Sequence, residues 1–291
     1  MKTCLDCIPC FLRQALEAAR AVTGDEGVHR QVMKSVAGLV AELPPGVTPP
    51  EVVRQIYGIV IEITGNSDPY HEEKHRDNQQ ALSLYPRLKE LVAESADPLL
   101  TACKLAVAGN SIDLGPDLKY GELDSIIGQA LASPLAINDY EHFRESVSSS
   151  RCILYVGDNA GEIVFDRILI RELKRVKDLS IDFVVRDRPV INDATLADAV
   201  YVSLDKVAGI FSSGSAVPAM IPAQCSPEVL RLYHSADIII AKGQGNYESL
   251  SEEKKNIFFF LRVKCPVVAG LLGASVGDTV LKRQDAVSLS G

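Results

Sequence analysis

CILYVGDNAGEIVFD, residues 152–166, reads as a strand, a tight turn and the opening of a helix. The mostly apolar run Cys152–Val156 suits a strand buried on both faces. Gly157 breaks it, and Glu162-Ile163-Val164-Phe165-Asp166 starts an amphipathic helix. A phosphate-cradling dinucleotide loop would carry glycine where this turn carries Asp158 and Asn159. A carboxylate there repels phosphate unless a cation intervenes.

The same alternation continues towards the C-terminus. IDFVVRD precedes DATLADAV, GIFSS precedes SPEVLRLYHSA, DIIIAKG precedes YESLSEEKK, and IFFFLRVK with CPVVAGLL closes the series. Repeated strand–helix units predict right-handed crossovers and a mainly parallel sheet with helices on both faces. Before residue 149 the periodicity is helical instead. Pro9 suits a first turn, Pro44-Pro45-Gly46 ends a second helix, and Thr48-Pro49-Pro50 leads into a third. Asp68-Pro69 reads as an N-cap with proline at the first helical position. DPLLTACKLAVAGNSID supplies another helix, and no strand is expected in this half. The expected fold is therefore α/β, a Rossmann-like three-layer αβα domain over 149–291 behind an all-α domain over 1–148, with the serine-rich EHFRESVSSSR at the boundary.

Composition narrows the function classes. Across 291 residues, 38 acids face 30 bases and the net charge is -8, unlike the basic face that nucleic-acid phosphates require. No apolar stretch is long enough for a helical membrane span, and MKTCLDCIPC has no signal-peptide core. The seven cysteines include one tight cluster, which suits a reducing compartment. The expectation is a cytoplasmic protein with neither nucleic-acid nor membrane partners.

In parallel sheets, ligands bind beyond the carboxyl ends of the strands. Four loops there carry chemistry: Gly157–Glu162, Arg186–Thr195, Ser212–Ser215 and Lys242–Glu248. Carboxylate and amide oxygens from adjacent strand ends suit a hard divalent cation, so Asp158, Asn159 and Asp193 form a candidate metal site. A cation there would turn the repulsion of phosphate into attraction, assisted by a lysine and backbone amides. Taken singly, each loop also has a structural reading: Asp193 as a helix cap, KGQGN as an ordinary turn. Their joint placement on one edge favours a site.

GDNAGE, RDRPVINDAT and KGQGNYE, in this order, resemble the damage-control metal phosphatases, and DPYHEEKHRDNQQAL and AGNSIDLG match that family's helical-half motifs. CLDCIPCFLRQA is similar to its cysteine-bearing microbial branch. The resemblance runs nearly end to end. It implies that Asp158, Asn159 and Asp193 bind a divalent metal (Mg²⁺, Mn²⁺, Co²⁺ or Ni²⁺). By the same carry-over Glu162 lies by the substrate, and Lys242, Gly243, Asn246 and Tyr247 surround the phosphate and the group bearing it. Lys264 joins from the last strand region, while Asn110 and Asp113 reach in from the helical half. The implied catalytic set is Asp158, Asn159, Asp193 and Lys242, acting on small phosphorylated metabolites, with metal-activated water preferred over Asp158 as the attacking group.

Two rival functions follow from the same sheet. One is an S-adenosylmethionine-dependent carboxyl methyltransferase, which the Asp158-Asn159 turn disfavours. The other is a non-enzymatic nucleotide- or metal-binding sensor. His71-Glu72-Glu73-Lys74-His75 matches the zinc-protease pattern HExxH but lacks a downstream third ligand and reads as solvated helix surface. Tyr70, Lys74 and Asn78 share the other face of that helix, a face able to meet the cleft. Cys4, Cys7 and Cys10 form C-x2-C-x2-C without a nearby fourth ligand, so structural thiols and a second metal site both stand. Cys103, Cys152, Cys225 and Cys265 read as core, and His29, His142 and His234 as structural.

Overall fold

A computed structural model describes residues 1–109 and 127–284. Asn110 and Asp113 lie outside the described residues. Five helices come first: α1 Ile8–Val22, α2 Glu26–Ala41, α3 Pro49–Thr64, α4 His71–Glu94 and α5 Pro98–Ala108. The sheet strands are β1 Ile137–Asn138, β2 Cys152–Val156, β3 Ser180–Val185, β4 Gly209–Ser212, β5 Ile238–Lys242, β6 Ile257–Arg262 and β7 Thr279–Arg283. Between and beyond them run α6 Tyr140–Ser149, α7 Glu162–Val176, α8 Leu196–Tyr201, α9 Pro227–Ser235, α10 Gly243–Leu250 and α11 Pro266–Leu272.

The strand order is β1-β7-β6-β5-β2-β3-β4. Every pairing is parallel except β6 with β7, which confirms the expected mainly parallel α/β sheet. From β2 the chain builds outward to β3 and β4, then returns to lay β5 and β6 on the other side. The switch point falls between β2 and β5, where a parallel sheet opens a crevice.

Alternation along each strand feeds two apolar layers. Tyr155, Phe183, Ile240 and Phe260 pack with α4 to α7, and Val156, Val184, Ala241 and Phe259 with α9 to α11. A third cluster joins α1, α2 and α3 to Val190 of the loop after β3. The expected boundary at 148/149 falls in the last turn of α6, and α6 and β2 share one apolar cluster.

Two local expectations differ from the structure. The two-residue β1 lies in the half read as wholly helical, and it is too short to carry an alternation pattern. EHFRESVSSSR, expected at the domain boundary, supplies most of α6, which buries Tyr140, Phe143 and Val147. Asp68 is not the cap of α4, whose N-cap is Tyr70; its carboxylate is drawn instead to Lys74 at 2.9 Å.

Candidate active site

The turn after β2 is built around two glycines. At Gly157 a Cβ would strike the Phe183 ring, and Gly161, at φ +77°, caps α7 with its path hard against Asp77. This turn is sewn to the loop after β3 by backbone bonds. Ala194 N–H donates to Asp158 O at 2.8 Å, Ala160 N–H donates to Asn192 O at 2.9 Å, and Asn159 bridges Asp193. Asp158, Asn159 and Asp193 therefore stand together by backbone geometry, before any side chain acts.

All three line a cavity of about 530 Å³ over the carboxyl ends of β2, β3 and β5. Glu162, Lys264, Gln244, Glu248 and, from α4, Arg76 complete the part of its wall that bears on chemistry. Asn159 Nδ2 donates to Glu162 Oε1 at 2.6 Å and to Asp158 Oδ2 at 3.4 Å, which leaves the amide oxygen as its ligand atom. Asp193 Oδ2 accepts from Arg186 Nε at 2.7 Å. Arg186 is buried and also donates to Gly157 O, so one guanidinium ties the two acidic loops together.

Burial raises two acids of this wall. Burial, reinforced by the Asp158 charge and only partly offset by Lys242, pushes the Glu162 carboxyl up to about 8. Burial pushes Asp193 up to about 7 against the relief that Arg186 gives, with Asp158 again raising it. Glu162 Oε2 is buried with no hydrogen-bond partner, and the nearest ammonium, Lys242 Nζ, lies 3.7 Å away. Two carboxylates, an amide oxygen and an orphaned carboxylate oxygen fit a hard divalent metal. Among the described residues, no group of three or more His, Cys, Asp or Glu residues forms a metal-binding set.

In the fourth loop Gln244, Gly245 and Glu248 line the cavity, while Lys242, Gly243, Asn246 and Tyr247 stand behind its wall. Gly243 lines up against the acid turn: at φ +78° its Cα faces Asp158 so closely that any Cβ would collide with the carboxylate. Asn246 is fully buried; its Nδ2 donates to Gly157 O and Lys242 O, and its Oδ1 accepts Met220 N–H. Tyr247 packs edge-on to Phe259. Lys242 is fully buried behind the cavity wall, 2.6 Å from Asp166 Oδ1, which also accepts the Tyr155 hydroxyl at 2.7 Å. Burial alone would favour a neutral amine, but Asp166 and Glu162 hold Lys242 above the ordinary lysine range. Lys264, by contrast, is an exposed cation on the cavity wall. The Ser212–Ser215 loop is not part of that wall; Ser212 donates to Asp187 and Ser213 to Ser215 O.

Arg186, Gln244 and Glu248 lie inside the loop motifs, but nothing local to the sequence gives them a role. Burial pushes Glu248 up to about 7 while Gln244 donates to it at 2.8 Å. Their signal was membership of charged strand-end loops. Arg76 and Gln14, the latter contributed to the wall by α1, offered none. The HExxH histidines hold no common ligand: His71 lies 3.7 Å from Asp68, and His75 packs at a tilt against Tyr201. Cys4 and Cys7 place their sulfurs 3.7 Å apart while Cys10 accepts from Arg13 and Gln14. Cys103 is buried, as read; Cys152, Cys225 and Cys265 are half-buried.

The family model for the damage-control phosphatase ARMT1-like domain matches residues 3–280. A damage-control phosphatase of Archaeoglobus fulgidus is 36% identical over 282 residues, covering 95% of this chain and 97% of the relative. Damage-control phosphatase PH1575 of Pyrococcus horikoshii is 32% identical over 97% of this chain and 98% of its own length. An uncharacterized Methanocaldococcus jannaschii protein, MJ0202, is 34% identical over 96% and 94%. The crystal structure of PH1575, described as a DUF89 family protein, superposes with a TM-score of 0.93 at 31% identity, covering 98% of this chain and all of that one. No helix among the described residues is long and apolar enough to cross a membrane.

Proposed function

Because the chain belongs to the damage-control phosphatase ARMT1-like domain family, we propose that it hydrolyses small phosphorylated metabolites, sugar phosphates or damaged phosphometabolites, with a divalent metal held by Asp158, Asn159 and Asp193. The observation that carries this reading is the backbone stitching of two acidic turns under one cavity, leaving buried carboxylates that a cation would satisfy. When bound, a metal of the Mg²⁺, Mn²⁺, Co²⁺ or Ni²⁺ class supplies Lewis acidity towards phosphoryl oxygens and lowers the pKa of a water.

The chain's own residues supply the rest. Lys264 offers positive charge to a phosphate in the cavity, where charge developing in transfer is stabilised best by preorganised donors. Glu162 borders the same space, with its carboxylate held by the Asn159 amide. Lys242 acts from behind Glu162, offsetting its charge so that an anionic ester can approach. Asn246 and Gly243 fix the shape of the turn against which Asp158 rests. Asn110 and Asp113 keep the role that the family resemblance implies for them.

The test is a metal-stripped preparation assayed against a panel of phosphate esters, with and without each of the four cations. Phosphate release restored by at least one cation, and lost in Asp193→Ala, supports the reading. Cofactor-dependent methyl transfer without metal, or tight ligand binding without turnover under every condition, would replace it with one of the two rivals.

A further inference from the structure

One side chain outside the sheet touches the framework of both acidic turns. Asn78, on the third turn of α4, is 1% exposed. Its Oδ1 accepts Gly161 N–H at 2.8 Å, across 83 residues of sequence, and its Nδ2 donates to Asp198 Oδ1 at 2.9 Å. The second oxygen of Asp198 accepts both the N–H and the hydroxyl of Thr195, at 2.9 and 2.7 Å, in the capping box of α8. Gly161 follows Asn159 by two residues, and Thr195 follows Asp193 by two. One primary amide thus spans the exits of the two loops that carry the metal-binding side chains.

The residue type suits the task. An amide presents an acceptor to the Gly161 N–H and a donor to Asp198, the acid that holds the end of the second loop, whereas a carboxylate has no donor and an apolar side chain has neither. The approach at Gly161 is tight as well, since a Cβ there would lie 3.1–3.2 Å from Asp77. One helical turn before Asn78, Lys74 reaches Asp68 at 2.9 Å and shares Asp198 at 3.8 Å, but no bond joins it to the Asp158-Asn159 turn, so it does not link the two turns.

We infer that Asn78 is a positioning residue that sets the spacing between the Asp158-Asn159 turn and the Asp193 loop, so that α4 tunes divalent-metal affinity from outside the sheet. This rests on the metal site proposed above. Partners that orient metal ligands typically contribute about 10–100-fold in affinity.

The experiment titrates Mn²⁺ into metal-stripped wild type, Asn78→Ala and Lys74→Met, reading free Mn²⁺ by electron paramagnetic resonance and folding by thermal melts. Asn78→Ala should weaken Mn²⁺ binding by about 10–100-fold. Lys74→Met should lower the melting temperature yet keep Mn²⁺ affinity within about twofold of wild type, since Lys74 shares Asp198 but makes no bond to the Asp158-Asn159 turn. Should the alanine variant not fold, Asn78→Asp provides the second arm, with the same direction expected because it sets a carboxylate against Asp198. Equal Mn²⁺ affinity in the Asn78 variant and wild type would overturn the inference while leaving the metal site standing. Equal losses in the Asn78 and Lys74 variants would reduce Asn78 to a merely structural role. Wild type that binds no Mn²⁺ would instead remove the metal site and the inference together.

Discussion

Two buried lysines sit among the described residues, each against two carboxylates, and they serve different ends. Lys242 at the end of β5 is fully buried with Asp166 and Glu162, which are themselves 0% and 6% exposed. Lys74 on α4 is 4% exposed, but its partners Asp68 and Asp198 remain 17% and 12% exposed. Asp198 is also satisfied by Asn78 and Thr195, whereas both acids at Lys242 leave an oxygen without a hydrogen-bond donor, Glu162 Oε2 and Asp166 Oδ2, as Asp68 Oδ1 does at Lys74. Burial of a lysine is therefore no sign of function in itself. What separates the two is whether the carboxylates around it border a cavity that holds further uncompensated acids.

The largest effect should come from removing the charge of the deeper lysine. Lys242→Met leaves two buried carboxylates without their cation, and breaking such a pair from one side costs about 3–5 kcal/mol. Phosphatase kcat/KM should fall by about 10²-fold or more. Chemical denaturation and steady-state kinetics read the two effects, and a stable variant with normal turnover would place Lys242 among inert core residues. Lys74→Met should cost about 1–3 kcal/mol, the range for hydrogen bonds to charged groups, because its acids are partly exposed and Asp198 keeps Asn78 and Thr195 as donors. A larger loss at Lys74 than at Lys242 would erase the distinction drawn between the two sites.

The pH dependence of metal-stripped protein sharpens the same contrast. Glu162 and Asp193 are raised by burial from ordinary values of 4.5 and 3.8 to about 8 and about 7. Between the unfolded and folded values the native state binds more protons than the unfolded chain, so stability falls as pH rises through that window. The melting temperature should therefore drop from pH 5 to pH 8, and added Mn²⁺ should recover most of the loss at the upper end. A melting temperature that stays flat across the window would mean that these acids carry no uncompensated charge. Smaller still, Tyr155→Phe removes one hydrogen bond to Asp166 while keeping the ring stacked on Phe183, at about 1 kcal/mol. Least affected should be turnover in the Cys4, Cys7, Cys10 triple serine variant, since Cys4 is exposed and the other two half-buried. Zinc or iron present in stoichiometric amount and lost on that replacement would instead establish a second metal site.

The strand–turn–helix at 152–166, the parallel sheet and the joint placement of the acidic loops were legible because each is local: a run of apolar residues, a glycine, a polar cluster. Lys242 shows the limit. A lysine ending a buried strand reads the same whether it enters the crevice or turns back into the sheet, and only Asp166, 76 residues away, decides it. Asn78 is a similar case, its two partners lying 83 and 120 residues distant. Helical spacing put Asn78 on a cleft-facing stripe, but no local pattern could name Gly161. β1 escaped because two residues have no periodicity, and Arg186 because a charged strand end gives no hint that its guanidinium is buried.

The central claim is that Asp158, Asn159 and Asp193 form one metal site. Calorimetric titration of Mn²⁺ into metal-stripped wild type, Asp158→Ala and Asp193→Ala, with thermal melts confirming that each is folded, tests it most directly. Wild type should bind one equivalent, and both folded variants should show no saturable binding. One equivalent bound with wild-type affinity by either variant would contradict the account.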